Sequence, residues 1–498
     1  MKHRRRLSAA LTSGFLVVCA LPAQVDPPPP DAPPAATSPG LTLEECVHRA
    51  LAQSFDIEIS RYNPQISKEG IDIARDPYQP VVSVTASRSH SRDDGTSSIP
   101  LSITDSSQAS VGVTQQLYSG TTLTLSSQLD RSRIDPALTA LNPAYNADLT
   151  IGVRQQLLKG FGFAANRAVV HAAEASYDAA QLSYKADVLT VVQNTEKAYY
   201  NLVFAGGQLE VHRASRNLAQ VLYNEAVDRK NTGVATELDV FTADVAVQSA
   251  RRQVLLDEQT LGNSRDQLRA LIGRFELDAP LTPGPLPEAE NALPVYASVY
   301  QMAIRSQPDY LAAAAAVEEA KFNVVIARNG ARPSLSVGGA VGLNSSRSSA
   351  SSAVNDALAN QGNSWQVDLS LTYPWGQLGD KARYRQSLAG LSQSEARLRQ
   401  LDQNIQVQVR SAVRAVETNH ESVIISTNAT ALAVKQYDLQ KAKFDAGLAT
   451  SRDVLQSQTD LETARLNELQ ARVSLRDSYS DLHRLEGSAL QRYGVALP

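Results

Sequence analysis

The sequence predicts a mixed α and β protein, mainly helical, that is built from two tandem repeats. Residues 50–56 recur as residues 303–309, which lie 253 positions further along the chain. Residues 233–240 recur as residues 447–454, at a second offset of 214 positions. A repeat unit of this size indicates a duplicated architecture, and the difference between 253 and 214 gives the first repeat 39 extra residues.

Long helices are the second prediction. No proline occurs from Ala144 to Ala279 or from Trp375 to Leu497, whereas a chain of short elements with frequent turns would contain several. If residues 164–229 form one helix, it is about 100 Å long at about 1.5 Å per residue, several times the diameter of a small domain. We therefore expect paired long helices rather than helices wrapped around a globular core.

The first 23 residues are predicted to be a secretory signal peptide. A basic run at residues 2–6 precedes an apolar stretch at residues 7–21, and Ala23 is the small residue expected at a cleavage site. Cys19 lies inside this segment and is a candidate for lipidation, with an ordinary apolar signal residue as the alternative. Residues 24–40 are rich in proline and are expected to form a tether.

The charge balance argues against nucleic acid as a partner. The chain has 47 basic and 51 acidic residues and a net charge of −4, which becomes about −8 once the four basic residues of the signal are removed. Only Cys19 and Cys46 are cysteines, which excludes a disulfide framework. No run of 18 apolar residues follows the signal, so any passage through a membrane must use strands.

Both repeats are expected to divide in the same way, into short helices, strands and a long helical hairpin. The predicted ranges are 41–273 for the first repeat, with helices at 41–77, strands at 81–157 and the hairpin at 163–273; 274–293 for a linker; 294–487 for the second repeat, with helices at 294–329, strands at 333–375 and the hairpin at 379–487; and 488–498 for a C-terminal tail.

Apolar and polar residues alternate with a period of two in the predicted strands, as in Val82 and Val84, which are separated by serine. Residues 119–120 form a tight turn, whereas the connections at 92–108, 131–146 and 344–364 are long and polar. Short turns on one side and long loops on the other are typical of outer-membrane strands. The expected outward positions are Val84, Val113, Leu125, Ile151, Val337 and Leu369.

The predicted hairpins carry heptads with small companion residues, which favour close packing of helix on helix. The apolar positions are Val240, Val247, Val254, Leu261 and Leu268 in the first repeat and Val454, Leu461, Leu475 and Leu482 in the second. Gly206 and Gly207 interrupt the first long helix. They predict a kink or a change of register, with a tolerated local weakness as the alternative.

An enzyme is the first alternative class, and the sequence argues against it. Residues 160–165 read GxGxxA between a strand and a helix, the pattern of a dinucleotide site. The helix that follows is too long, and no parallel strand returns to complete a βαβ unit. The seven histidines are scattered without ligand spacing. No catalytic residue, cofactor or metal site is therefore predicted.

The signal peptide, the tandem repeat, the strands and the glycine-centred hairpins together resemble the TolC-like outer-membrane efflux proteins. The resemblance covers residues 41–493, and its most specific motifs are the turns at 232–240 and 446–454. It implies a homotrimer whose helices form a periplasmic α-barrel and whose strands form a transmembrane β-barrel. Four strands in the first repeat instead of two would make that barrel wider than is usual in the family.

The resemblance also implies roles for residues at the two turns. It places a periplasmic adaptor on the hairpin tips, which are Gly233, Val234 and Ala235 in the first repeat and Gly447, Leu448 and Ala449 in the second. Glycine suits a helix reversal because it adopts positive φ at little cost. A plain helical-hairpin turn without a partner is the alternative.

Asp239 and Asp453 match aspartates that the family has near its closed periplasmic entrance. Three copies around one axis would favour cations, and helix capping is the alternative role. The basic and tyrosyl residues of the family's closing contact are replaced by Ala449 and Phe444. Arg452 or Arg229 could substitute for the basic residue.

The function implied is the outer-membrane channel of a tripartite efflux or secretion system. Such a channel gives passive passage from the periplasm to the exterior, together with a periplasmic adaptor and an inner-membrane transporter of the RND or ABC type. The second alternative class is a periplasmic coiled-coil scaffold or adaptor without a channel. That alternative explains the helices but not six amphipathic strands. The sequence does not specify the cargo.

Overall fold

The computed structural model describes residues 41–94, 102–135, 140–272, 281, 283–287 and 292–495. The predicted signal peptide with Cys19, the proline-rich tether and most of the predicted linker lie outside the described residues. The described chain is mainly helical with a six-stranded antiparallel sheet, as the sequence predicted.

The elements follow one another in two similar series. The first series is α1 (Leu43–Gln53), α2 (Phe55–Ser60), α3 (Tyr62–Arg75), β1 (Val81–Asp93), β2 (Ser102–Gln116), β3 (Thr121–Asp135), β4 (Ala144–Gln156), α4 (Phe163–Asn231) and α5 (Glu237–Ile272). The second series is α6 (Tyr296–Ser306), α7 (Pro308–Gly330), β5 (Ser334–Arg347), α8 (Ala350–Leu358), β6 (Asn363–Thr372), α9 (Leu378–Asp445), α10 (Ser451–Glu486) and α11 (Ala489–Arg492).

The sheet has the order β1-β2-β3-β4-β5-β6, and every neighbouring pair is antiparallel. Residues directly opposite each other in such a sheet point to the same face. The register aligns Leu125 with Val113 and Ile151, and it aligns Ile151 with Val341. The six residues predicted to point outward therefore share one apolar face, and the opposite face carries mostly Ser, Thr and Gly.

The strands are longer than predicted because polar side chains pair beyond the apolar region. In the predicted loop at 92–108, β2 already begins at Ser102. His90 lies 2.8 Å from Asp105, and the Ser89 and Ser106 hydroxyls lie 2.6 Å apart across the same two strands. Cross-strand polar pairs of this kind stabilise a ladder that hydrophobicity alone does not predict.

The sequence reasoning missed α8, which lies inside the predicted polar connection at 344–364, and the short α11, which lies in the predicted C-terminal tail. The Ser349 hydroxyl accepts a hydrogen bond from the Ser352 N–H and caps the first turn. Ala353 and Ala357 are buried against Leu129 and Ala147, so the helix packs onto the loop end of the apolar sheet face.

The GxGxxA segment forms the turn that leads from β4 into α4. Gly160 and Gly162 have positive φ, at 79° and 86°. The Asn166 side-chain amide donates to the carbonyls of Tyr118, Gly160 and Gly162 at 2.7–3.0 Å. A Cβ on Gly120 would lie 2.1 Å from the Gly160 carbonyl oxygen, so two glycine turns are in direct contact. The segment is thus a strand-to-helix joint.

The long helices pair as two hairpins, α4 with α5 and α9 with α10, and α10 also packs on α4. The predicted heptad residues Val247, Val254 and Leu268 are buried, as are Val454, Leu475 and Leu482, which confirms the heptad pattern. Cys46 lies in the core beside α4, and burial raises the pKa of its thiol to about 12.

The helix α4 continues from Phe163 to Asn231 through Gly206 and Gly207, so these glycines do not end it. A Cβ on Gly207 would come within 2.6 Å of Leu469 on α10. The glycine therefore serves close approach of the two helices. Among the described residues, no helix is both long and apolar enough to cross a membrane.

Candidate functional site at the hairpin tips

The two hairpin tips have the same backbone geometry. Gly233 and Gly447 follow the long helices at φ 77° and 76°. The Val234 N–H donates to the Arg229 carbonyl at 2.9 Å, and the Leu448 N–H donates to the Lys443 carbonyl at 2.8 Å. These bonds satisfy carbonyls at the end of each long helix, and the left-handed glycine permits the reversal.

The tips expose apolar side chains. Val234 and Leu448 are 77% and 80% exposed, whereas Ala235 and Ala449 are part-buried. Isolated exposed apolar residues are common on protein surfaces. At the ends of two long hairpins, however, they are available to another protein without any rearrangement of the helices.

Both predicted entrance aspartates cap the returning helices. The Asp453 carboxylate accepts from the Thr450 N–H at 2.9 Å and from the Thr450 hydroxyl at 2.7 Å. The Asp453 N–H donates to the Thr450 hydroxyl oxygen at 3.3 Å. Asp239 makes the same three contacts with Thr236, at 2.8, 2.7 and 3.3 Å. Each pair forms a capping box.

The same hydrogen bonds keep these aspartates ionised. Donation from Thr236 lowers the pKa of Asp239, and donation from Thr450, assisted by the charge of Arg452, lowers the pKa of Asp453. Helix capping and a negative charge at the tip are therefore compatible, since the cap requires the carboxylate form. Arg452 itself is exposed in the first turn of α10.

Phe444 is buried, at 4% exposure, in a small cluster with Leu222 and Val454. The Arg229 guanidinium lies 3.9 Å from the centre of its ring and also donates to the Phe444 carbonyl at 3.4 Å. This cation–π contact joins the end of α4 to the end of α9. Of the two arginines considered from the sequence, Arg229 is the one that ties the hairpins together within the described chain.

A buried polar cluster above the tips was not found from the sequence. His212 on α4 contacts the Asp257 carboxylate through Nδ1, and its Nε2 lies 3.0 Å from the Glu462 carboxylate. The Ser215 hydroxyl donates to Glu462 at 2.5 Å. The cluster joins α4, α5 and α10, and Asp257 lies 45 positions from His212 in the chain.

The apolar sheet face is the second candidate surface. Val84, Ile151, Val341 and Leu369 are 55–72% exposed. On the opposite face, Arg154 pairs with Asp368 at 2.8 Å and also donates to Ser336 at 3.1 Å. A Cβ on Gly338 would lie 2.4 Å from that aspartate, so the glycine makes room for the ion pair. The sheet therefore separates an apolar side from a polar side.

Sequence comparison identifies relatives for both repeats. A sequence model of the family described as "Outer membrane efflux protein" matches residues 46–274 and 299–488. Outer membrane protein TolC of Escherichia coli is 22% identical over 299 residues. That alignment covers 58% of this chain and 60% of TolC, so the chain spans less than two thirds of the length of this relative.

Structural comparison finds the same fold in solved outer-membrane channels. The Campylobacter jejuni CmeC outer membrane channel superposes with a TM-score of 0.70 at 16% identity, covering 90% of this chain and 86% of CmeC. The open state of the Neisseria gonorrhoeae MtrE outer membrane channel gives 0.67 at 17% identity, covering 91% and 90%. Since the family model spans well over half of the chain, this protein belongs to the outer membrane efflux protein family.

Proposed function

We propose that the protein is the outer-membrane channel of a tripartite efflux or secretion system, located in the outer membrane with a large periplasmic part. It would give substrates passive passage from the periplasm to the exterior. The observation that carries the proposal is the sheet, which combines one continuous exposed apolar face with one polar, ion-paired face. An apolar band facing lipid and a polar side facing water are what a membrane-spanning sheet requires.

The sheet also supports assembly with other copies. Within the described chain, β1 and β6 each have a partner strand on one side only. Long edge strands with unpaired backbone groups pair with another chain unless they are shielded, and in lipid every such group must be satisfied. We propose a homotrimer in which these edges pair between copies.

The hairpin tips are the proposed docking site for a periplasmic adaptor, which in turn contacts an inner-membrane transporter. Exposed Val234 and Leu448, held on rigid glycine turns, support this proposal. A trimer would place three ionised copies of Asp239 and three of Asp453 around its axis. A soluble periplasmic scaffold is the less favoured alternative, because it would leave the apolar sheet face in water.

Cell fractionation tests the proposal directly. We expect the protein in the outer-membrane fraction, migrating as a trimer in unheated detergent samples and as a monomer after boiling. Recovery as a soluble periplasmic protein would contradict it.

Docking is tested separately by Leu448→Asp, which changes an exposed side chain at the second hairpin tip. We expect the trimer to be retained and in-cell cross-linking to the adaptor to be lost. Leu293→Asp is the matched control, because Leu293 is also exposed but lies outside the hairpins. Unchanged cross-linking in Leu448→Asp would show that the tips are structural turns only.

A further inference from the structure

Contacts between the two repeats within one chain indicate which contacts the equivalent surfaces would make between two copies of the chain. In the described chain, α4 of the first repeat is covered along one flank by α7 and α10 of the second. The His171 ring lies 5.3 Å from the Phe322 ring at the α4–α7 contact. At the α4–α10 contact, Ser480 donates to the buried Glu196.

The first repeat carries the flank equivalent to α7, but nothing in the described chain covers it. A stripe on α2 and α3 has spacings of four and three residues, and all of its members are exposed: Phe55, Ile59, Tyr62, Ile66, Glu69 and Ile73. The residues 253 positions later are all buried or part-buried: Pro308, Ala312, Ala315, Glu319, Phe322 and Ile326.

The same contrast occurs on α5, which is the equivalent of α10. Phe241 and Leu255 are 60% and 66% exposed. The residues 214 positions later, Leu455 and Leu469, are part-buried, and Leu469 lies against α4 near Gly207. The stripe on α2 and α3 and these residues of α5 are thus uncovered in the described chain, and both α3 and α5 pack on α4.

The complementary flank is on α9, the equivalent of α4. Ala382 and Ala389 are exposed, whereas Ala168 and Ala175, their equivalents on α4, are 1% and 9% exposed; Ala396, one further turn pair along α9, is exposed as well. Nearer the tips, α9 exposes Ile425, Leu432 and Leu439 at 60%, 66% and 58%. Small residues on α9 would receive the large residues of α3, which is the size match that close helix packing needs.

Charge supports the match at two positions. The repeat equivalent of His171 is Arg385 on α9, 214 positions later, and the repeat equivalent of Phe322 is Glu69 on α3, 253 positions earlier. The contact equivalent to His171–Phe322 would therefore join Arg385 to Glu69. In the same way, the repeat equivalent of Glu196 is Arg410 on α9 and that of Ser480 is Asp266 on α5, so the equivalent contact would join Arg410 to Asp266. Both transposed pairs join opposite charges, and all four side chains are exposed in the single copy.

We propose that the flank formed by α3 and α5 of one copy docks on α9 of the next copy, with Glu69 facing Arg385 and Asp266 facing Arg410. This inference rests on the proposed homotrimer and assigns its helical interface residue by residue. Each copy carries one flank of each kind, so the contact is head-to-tail and closes into a ring. Glu69 is the single charge in an otherwise aromatic and aliphatic stripe, and it would fix the register of docking.

Site-directed cross-linking of the full-length protein in its membrane tests the inference. With Glu69→Cys and Arg385→Cys in one chain, a short bis-maleimide should convert most of the protein into covalent dimers and trimers on denaturing gels. Each single cysteine variant should give monomers only, since Cys46 is buried. With His171→Cys and Phe322→Cys, the cross-link should form inside one chain, so the protein should stay monomeric on denaturing gels.

Charge reversal gives an independent readout. Arg385→Glu should lower the temperature at which the trimer dissociates, and adding Glu69→Arg should restore it. Arg397→Glu, a reversal at an exposed residue about 100° around α9 from Ala396, should have no effect. If the native protein is a trimer but the variant with Glu69→Cys and Arg385→Cys gives no covalent dimers or trimers, the proposed interface is wrong while the homotrimer stands. A monomeric native mass would instead overturn the homotrimer itself.

Discussion

Ile151→Arg should prevent insertion of the sheet into the outer membrane, whereas Thr150→Arg should be tolerated. Ile151 is 55% exposed in the middle of β4, on the apolar face between Leu125 and Val341. Thr150 lies on the other face, opposite Ser126 and Gly342, where the glycine leaves space for a longer side chain. Neighbouring residues of one strand thus provide the test and its matched control.

The size of the effect follows from the cost of a charge in lipid. An arginine near the bilayer midplane costs about 2–4 kcal/mol, which is roughly a 30- to 700-fold change in equilibrium per copy. Three copies in a trimer would multiply that cost to about 6–12 kcal/mol. At position 150 the guanidinium would face water on the polar side, and the cost should fall close to zero.

The assay is the yield of heat-dissociable trimer in the outer-membrane fraction, compared with total protein on the same blot. We expect Ile151→Arg to abolish the trimer band and Thr150→Arg to retain most of it. Equal losses for the two variants, or a greater loss for Thr150→Arg, would refute the assignment of the apolar face to lipid.

Three further predictions concern the helices. Replacing Asp239 and Asp453 together by asparagine should lower cation preference in single-channel recordings with unchanged trimer yield; unchanged selectivity would leave helix capping as their role. His212→Ala leaves the buried Asp257 side chain without its hydrogen-bond partner and should lower the free energy of unfolding by about 1–3 kcal/mol, measured by thermal melting; a smaller loss when Asp257→Ala is added would confirm the coupling. Burial raises the pKa of Asp477 from 3.8 to about 6, and its Oδ1 has no hydrogen-bond partner in the described chain. Because the pKa of Asp477 is higher in the folded state, the contribution of this group to stability is greatest below about pH 4 and is lost as the pH rises through about 6. Asp477→Asn should therefore raise the melting temperature at pH 8, by an amount equivalent to about 2–3 kcal/mol, and not at pH 4; a uniform shift at both values would contradict this.

The parts predicted from sequence are those with a short repeat. A spacing of seven places Val254 and Val454 in the helix interfaces, and a spacing of two places Val82 and Val84 on one sheet face. The glycine at each tip follows from the geometry of a helix reversal. Local periodicity determines which side of an element is buried, so these features are visible before any tertiary contact is known.

The missed features depend on partners that are distant in sequence. His212 has no ligand spacing, yet it meets Asp257 and Glu462 because three helices pass the same level. Gly207 is explained only by Leu469 on another helix, and α8 forms because Ala353 and Ala357 find a cover on the sheet. Such contacts override local propensity. The internal repeat is the one long-range signal that the sequence does carry.

The central claim is that this chain forms a channel, and conductance tests it most directly. Purified trimer should be added to a planar lipid bilayer at neutral pH, with heat-dissociated monomer as the control. The account predicts discrete, uniform conductance steps from the trimer that are absent from the monomer. A stable trimer that inserts into the bilayer but never conducts ions would contradict the claim.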